Sequence, residues 1–318
     1  MPSRGGPARW GGAERVNAEI RQALDWGLLA PLHLTARTVA DGVYAGVHRS
    51  PKRGAGIEFG GHRNYVPGDD LRWLDRHALM RHTRLLVREF ETETDRTLRL
   101  VLDATRSMSF RSPEAPGAKL AYAAVVAAAL ARIALASGDP VALDWLGGRD
   151  CRALPGTAGR EAFDRIVGAL QDATPGGDLT SDPAVVERSL LPVARHARRG
   201  SIVVLLSDLL DLPRAAPERL AALATHRRTV VAVRVLDPVE ATFPFEGPVR
   251  LRSSEGSVLV ETDGAAAREG YLAALEGIAA ELEDTLVPRG GKVVRAVTTD
   301  DPVAVVRSIL AAAGGEAA

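Results

Sequence analysis

From residue 97 onward, apolar runs of strand length alternate with longer segments of helical periodicity. The strand-length runs are 97–102, 140–146, 201–206, 229–235 and 292–297. The helical segments are 118–137, 159–171, 182–199, 215–227, 265–288 and 301–313. No other feature of the chain constrains its fold so strongly. A helical crossover between successive strands makes them pair in parallel, and the helices then cover both faces of the sheet. The run SIVVLLSD is apolar at nearly every position, as a strand buried on both faces must be. One stretch departs from the alternation. VRLRSSEGSVLVET predicts an antiparallel hairpin near 248–262, turning at Glu255-Gly256, as an insertion or edge element.

The segment before residue 96 reads differently, and the chain divides into a tail at 1–14, an N-terminal region at 15–95 and an α/β domain at 96–318. The tail is rich in Gly, Pro and Arg and is expected to be disordered. Val16, Ile20, Ala23, Leu24 and Leu28 recur at helical spacing and predict a helix over 16–30. Residues 31–95 predict short strands, a turn at VPGDD and a strand in RLLVREFETE, a small mixed region. Within it, Glu58, Asp69, Asp70 and Asp75 lie among Arg63, Arg72, Arg76, Arg81 and Arg84, which reads as a structural ion-pair network. His77 and His82 are five apart, off one helix face, and no cysteine joins them, so zinc is not expected.

Charge and composition exclude several classes. Lys plus Arg and Asp plus Glu both number 40, and aromatics are 4%, so neither electrostatics nor base stacking points to nucleic acid. The single cysteine, Cys151, has no partner for an internal disulfide and suits a reducing compartment. The N-terminus lacks the apolar core of a secretory signal. AYAAVVAAALARIALASG is rich in alanine and carries Arg132, so it reads as a buried helix and not a transmembrane segment. The expected location is cytoplasmic. No Gly-x-Gly-x-x-Gly follows a strand, and neither a Walker A lysine motif nor a Gly-x-Ser-x-Gly elbow is present.

The chemistry gathers at TLRLVLDATRSMSF. In open α/β sheets, ligands bind beyond the carboxyl ends of the strands. Asp103 and Asp208 both stand at such ends, and Thr105 and Ser107 alternate with Asp103 on one short loop. Hard oxygen donors with one or two carboxylates suit Mg²⁺. The loop TPGGDLTSDP adds Asp178, Thr180 and Ser181. An Asp at a strand-to-helix junction is often only a cap or turn former. The second strand ending in an acid favours the metal reading over that one.

VLDATRSMSF resembles the metal-ion-dependent adhesion site of von Willebrand factor A domains, whose pattern is Asp-x-Ser-x-Ser. GAGIEFGGHRNYVPGDDLRWLDRHALMRHTRLLVREFETE resembles the block that precedes an A-like domain in the bacterial domain of unknown function family 58. The resemblance runs from about Tyr44 to the C-terminus. It implies a von Willebrand A-like, Rossmann-type α/β fold with a mostly parallel sheet. It also implies a non-enzymatic, metal-dependent protein-interaction module acting with a MoxR-type AAA+ ATPase, a carboxylate from a partner or client completing the metal's coordination. The implied ligands are Asp103, Thr105, Ser107 and Asp208 with Asp178 or Thr180, and the implied ion is Mg²⁺, with Mn²⁺ and Ca²⁺ as alternatives. Two departures stand out. Thr105 replaces Ser, and the second loop reads GGDLTSD where Gly-Thr-Asp is usual. Two other readings stay open: a structural A-like domain with a degenerate, empty site, and a Mg²⁺-dependent phosphoester hydrolase. For the hydrolase, Lys119 is the one phosphate-gripping candidate among Lys52, Lys119 and Lys292.

Overall fold

The computed structural model describes residues 32–45, 58–64, 86–91, 96–179, 184–210, 212–224, 228–252 and 259–314. They fall into two compact units, one of residues 47–95 and one formed by 1–46 together with 96–318. In the smaller unit, Glu58–Asn64 (β1) and Leu86–Glu91 (β2) pair antiparallel, with a register irregularity between Phe59 and Gly61. Strand β2 lies within the RLLVREFETE segment. The helix expected over 16–30, the VPGDD turn and the side chains of the Arg/Asp block lie outside the described residues.

The larger unit begins with α1 (Leu32–Ala45). It continues through β3 (Leu98–Ala104), α2 (Lys119–Ala136), β4 (Val141–Gly147), β5 (Leu154–Thr157), α3 (Arg160–Asp172) and α4 (Ala184–His196). Next come β6 (Ile202–Ser207), α5 (Ala216–Leu223), β7 (Thr229–Leu236) and α6 (Pro238–Thr242). The hairpin strands β8 (Pro248–Arg252) and β9 (Leu259–Asp263) precede α7 (Gly264–Leu286), β10 (Lys292–Val297) and α8 (Pro302–Gly314). The main sheet has the order β10-β7-β6-β3-β4-β5. Its strands are parallel except β5, which pairs antiparallel with β4 at one edge. The fold is therefore mixed α/β with a mostly parallel central sheet, as the strand–helix alternation predicts.

The order matters for the site. From β3 the chain winds outward through β4 to β5; from β6 it winds the other way through β7 to β10. Strands β3 and β6 are neighbours, with Leu102 opposite Leu206. The crevice between their carboxyl ends is the switch point of the sheet, where ligands of doubly wound folds bind.

Period-two alternation sorts the strand residues between two cores. Leu98, Leu100, Leu102, Val204, Leu206, Val231 and Val233 face one core. Helices α1, α2, α3 and α8 close it, through residues such as Val39, Val125, Ile166 and Val306. Val101, Val203, Leu205, Val230 and Ala232 face the other, where α4, α5 and α7 contribute Leu190, Leu220 and Leu282. At about 25 cal/mol per Å² of apolar surface removed from water, these two layers supply the main drive to fold.

Helix α2 is the centre of the first core, and every residue from Lys119 to Ala131 is buried. Its small side chains let α1, α3, α8 and the sheet approach together. By length and composition it could cross a membrane, but 72% of that window is buried inside the fold. Its apolar length is thus used in packing.

Three elements differ from the sequence reading. Helix α1 occupies a region where short strands are expected. Its buried Leu32, Ala36, Val39, Ala40 and Val43 follow helical spacing, and Arg307 of α8 donates to the Gly42 carbonyl at 2.8 Å. Strand β5, sequence LPGT, is too short and too rich in Pro and Gly to announce itself. Helix α6 has five residues and is held by a capping box from Asp237 and Glu240. The hairpin forms near its expected place, with Arg250 and Glu261 paired across it at 2.6 Å; its turn, 253–258, lies outside the described residues.

Candidate functional site

Strand β3 delivers Asp103, which is fully buried. The chain then turns into a short 3-10 segment, Arg106–Ser109, which brings Thr105 and Ser107 back beside it. The Thr105 N–H donates to Asp103 Oδ1 at 2.9 Å, and the Thr105 hydroxyl donates to the same oxygen at 2.6 Å. The Thr105 and Ser107 hydroxyl oxygens are 3.1 Å apart. From β6, the Ser207 hydroxyl donates to Asp103 Oδ2 at 2.6 Å and accepts from the Leu209 N–H at 3.0 Å. The turn-forming role of Asp103 is thus real, since the bond from the Thr105 N–H is an Asx turn. The hydroxyls converging on both oxygens go beyond what a turn requires.

Asp208 follows immediately on β6 and is also fully buried. Its Oδ1 accepts from the Leu210 N–H at 3.1 Å, and its Oδ2 takes a 2.8 Å ion pair from Lys119. Lys119 is the first residue of α2, and its backbone N–H donates to the Phe110 carbonyl at 3.2 Å. The same Lys119 ammonium pairs with Glu240 of α6 at 2.7 Å. Glu240 accepts from the Asp237 N–H, and Asp237 accepts from the Ser112 N–H at 2.8 Å, which ties α6 to the loop after Ser107.

Charge in this crevice does not balance. One ammonium serves two carboxylates, and among the described residues no cation pairs with the third, Asp103. Burial, and next the charge of Asp208, push the Asp103 carboxyl up to about 7, although bonds from Ser207 and Thr105 act the other way. Burial alone would lower the Lys119 ammonium, but Asp208 and Glu240 more than offset it and hold the lysine charged. Burial raises Glu240, opposed by Lys119.

The second loop lies against the first. The Gly176 N–H donates to the Ala104 carbonyl at 2.8 Å, and the Gly148 N–H donates to the Gly176 carbonyl at 2.8 Å. Gly147 makes this approach possible. Its φ is +65°, and a Cβ there would sit 2.9 Å from Thr105 Cγ2 and 3.0 Å from the Gly176 carbonyl. Asp178 is half-buried on this loop, two residues past Gly176. Thr180 lies outside the described residues.

The structure therefore brings Asp103, Thr105 and Ser107 together and sets Asp208 beside them, bound to Lys119. Asp178 is on the adjoining loop. Sequence reasoning did not name Ser207, Glu240 or Asp237. Ser207 was visible as the hydroxyl of LLSD, next to an acid already chosen. DPVE carries the spacing of a capping box. The donor set suits a small hard cation in kind: one carboxylate without a counter-charge and two clustered hydroxyls on one loop. Among the described residues no group of three or more His, Cys, Asp or Glu side chains forms a metal cage, so any ion here depends on hydroxyl oxygens.

A family model described as "Protein of unknown function DUF58" matches residues 61–279. The uncharacterized proteins Mb1516 of Mycobacterium bovis and Rv1480 of Mycobacterium tuberculosis are each 31% identical over 236 residues, covering 73% of this chain and 72% of theirs. Among solved structures, the conserved hypothetical protein BatB from Bacteroides thetaiotaomicron is 15% identical with a TM-score of 0.42, covering 70% of this chain and 100% of that one. An aerotolerance-related membrane protein from Bacteroides fragilis is 16% identical with a TM-score of 0.40, over 70% of this chain and all of that one.

Proposed function

The chain belongs to the DUF58 family, and we propose that it is a non-enzymatic, cation-dependent protein-interaction module. The observation that carries the reading is the uncompensated charge at the switch point. Asp103 is fully buried without a cationic partner among the described residues, and two hydroxyl groups donate to its oxygens. Asp103, Thr105 and Ser107 would hold the ion, with Asp178 or Thr180 from the second loop. Asp208 would contribute through its ion pair with Lys119, which keeps that carboxylate in place. A hard cation such as Mg²⁺, when bound, neutralises Asp103 and offers a coordination position to an incoming carboxylate.

The proposed partner is a MoxR-type AAA+ ATPase or a protein client that presents such a carboxylate, as the family resemblance implies. The proposed location is the cytoplasm, in keeping with the lone cysteine. A hydrolase reading needs a lysine that can reach a substrate phosphate. Lys119 is fully buried between Asp208 and Glu240, which speaks against that use.

The test is a surface plasmon resonance measurement of this chain against a purified MoxR-type ATPase. Binding in Mg²⁺ that disappears in chelator and in Asp103→Ala supports the proposal. Binding that is indifferent to both defeats the cation-dependent mechanism.

A further inference from the structure

One strand beyond Ser207, the same face of the sheet carries two arginines side by side. Ser207 stands opposite Arg234 of β7, and Arg234 stands opposite Arg295 of β10. Together with α7 they line a cavity of about 400 Å³, whose apolar walls include Leu236, Leu272, Leu275 and Ala296. This is the size and character of a small-molecule pocket.

The two arginines are not equivalent. Arg295 is exposed and is satisfied by Glu276, at 2.7 and 3.0 Å, and by Glu283 at 3.0 Å. Arg234 is only 7% exposed, and its Nη1 donates to the Leu275 carbonyl at 3.1 Å. Among the described residues no carboxylate lies within 4.0 Å of it. Burial, and then the charge of Arg295, lower its pKa, and the carboxylates of Glu276 and Glu283, held by Arg295, offset this only in part. A guanidinium has five N–H donors in a planar fork that matches a carboxylate. A buried guanidinium with no carboxylate in contact retains donors for an anion, and Arg234 lines the cavity where one would enter.

We infer that this cavity binds a small monocarboxylate with an apolar body, its carboxylate on Arg234 and its chain along Leu236, Leu272 and Leu275. Glu276 and Asp300 also line the cavity, and their negative charge disfavours a dianion such as phosphate. The site stands apart from the cation reading, because it uses neither Asp103 nor Lys119.

The experiment is isothermal calorimetry on the full chain with acetate, butanoate and hexanoate, and with hexylamine and inorganic phosphate as controls. Burial of each added methylene should tighten binding about fourfold. Hexanoate should therefore saturate a single site, with acetate far weaker and the controls silent. Arg234→Met should weaken hexanoate at least about tenfold, as expected for loss of a charged hydrogen bond. Leu272→Trp, which fills the cavity and leaves the arginine in place, should do the same; thermal melting checks that both variants fold. An acetylated tripeptide ending in Leu, run beside hexanoate, distinguishes a peptide terminus from a free acid as the natural source. Binding of either that Arg234→Met abolishes supports the site. Absence of binding of both hexanoate and the tripeptide to the wild type, hexanoate bound no tighter than acetate, or binding unchanged in the folded variants overturns it.

Discussion

Replacing Asp103 by Asn should stabilise the cation-free protein above neutral pH, an unusual outcome for a polar change at a fully buried position. The magnitude follows from the site. Burial first, and Asp208 second, raise the carboxyl from 3.8 to about 7. With the folded pKa above the unfolded one, the native state keeps its proton between those values while the unfolded chain has lost it. Stability contributed by this group is therefore full below about pH 4, falls as pH rises, and is flat above about pH 7. At about 1.4 kcal/mol per pKa unit, the whole drop is on the order of 4 kcal/mol. Asn carries no charge and escapes this cost. Its carboxamide offers one acceptor oxygen where Thr105 and Ser207 donate to two, a mismatch costing about 1 kcal/mol. The Asn protein should then exceed wild type by about 2–3 kcal/mol at about pH 8 in chelator, and fall slightly below it at about pH 4. Mg²⁺ at about a hundred times its Kd should return about 2.7 kcal/mol to wild type and nothing to the variant. Urea denaturation of the full chain at both pH values, with and without Mg²⁺, reads all four quantities. If the Asn protein is less stable than wild type at the higher pH in chelator, Asp103 is a compensated structural carboxylate and the reasoning fails.

Other outcomes follow from the same geometry. Lys119→Met leaves Asp208 and Glu240 buried without their ammonium, so urea denaturation should show a loss of about 3–5 kcal/mol, recovered in part by adding Asp208→Asn. Thr105→Val keeps the shape but removes the hydroxyl on Asp103; Mg²⁺ affinity measured by calorimetry should drop about tenfold while the fold persists. Gly147→Ala places a methyl against Thr105 and the Gly176 carbonyl at a positive φ, and should cost more than about 1 kcal/mol in thermal unfolding while also weakening the cation.

Much of this architecture was legible because the parallel strands are long, apolar and regularly spaced by helices. The strand at 292–297 appears within its expected bounds, and the ends carrying Asp103 and Asp208 fall on neighbouring strands at the switch point. What escaped was either short or nonlocal. Strand β5 has four residues, two of them Pro and Gly, and gains its order from the edge of β4. Helix α1 contains Gly42 and β-branched Thr and Val, which obscure a buried stripe that becomes evident only against α2 and α8. Lys119 falls at the start of the helical segment expected over 118–137, but its pairing with Asp208 spans 89 residues and with Glu240 spans 121. No local pattern encodes such a contact. That pairing changes the reading of the site, because it commits one of the two strand-end acids to an internal cation and leaves Asp103 without one among the described residues.

The most direct measurement is a Mg²⁺ titration by calorimetry on wild type and on Asp103→Ala, repeated with Mn²⁺. The account predicts one saturable site in the wild type that the substitution abolishes. Wild-type protein that binds neither ion, or a variant that binds as well as wild type, would contradict it.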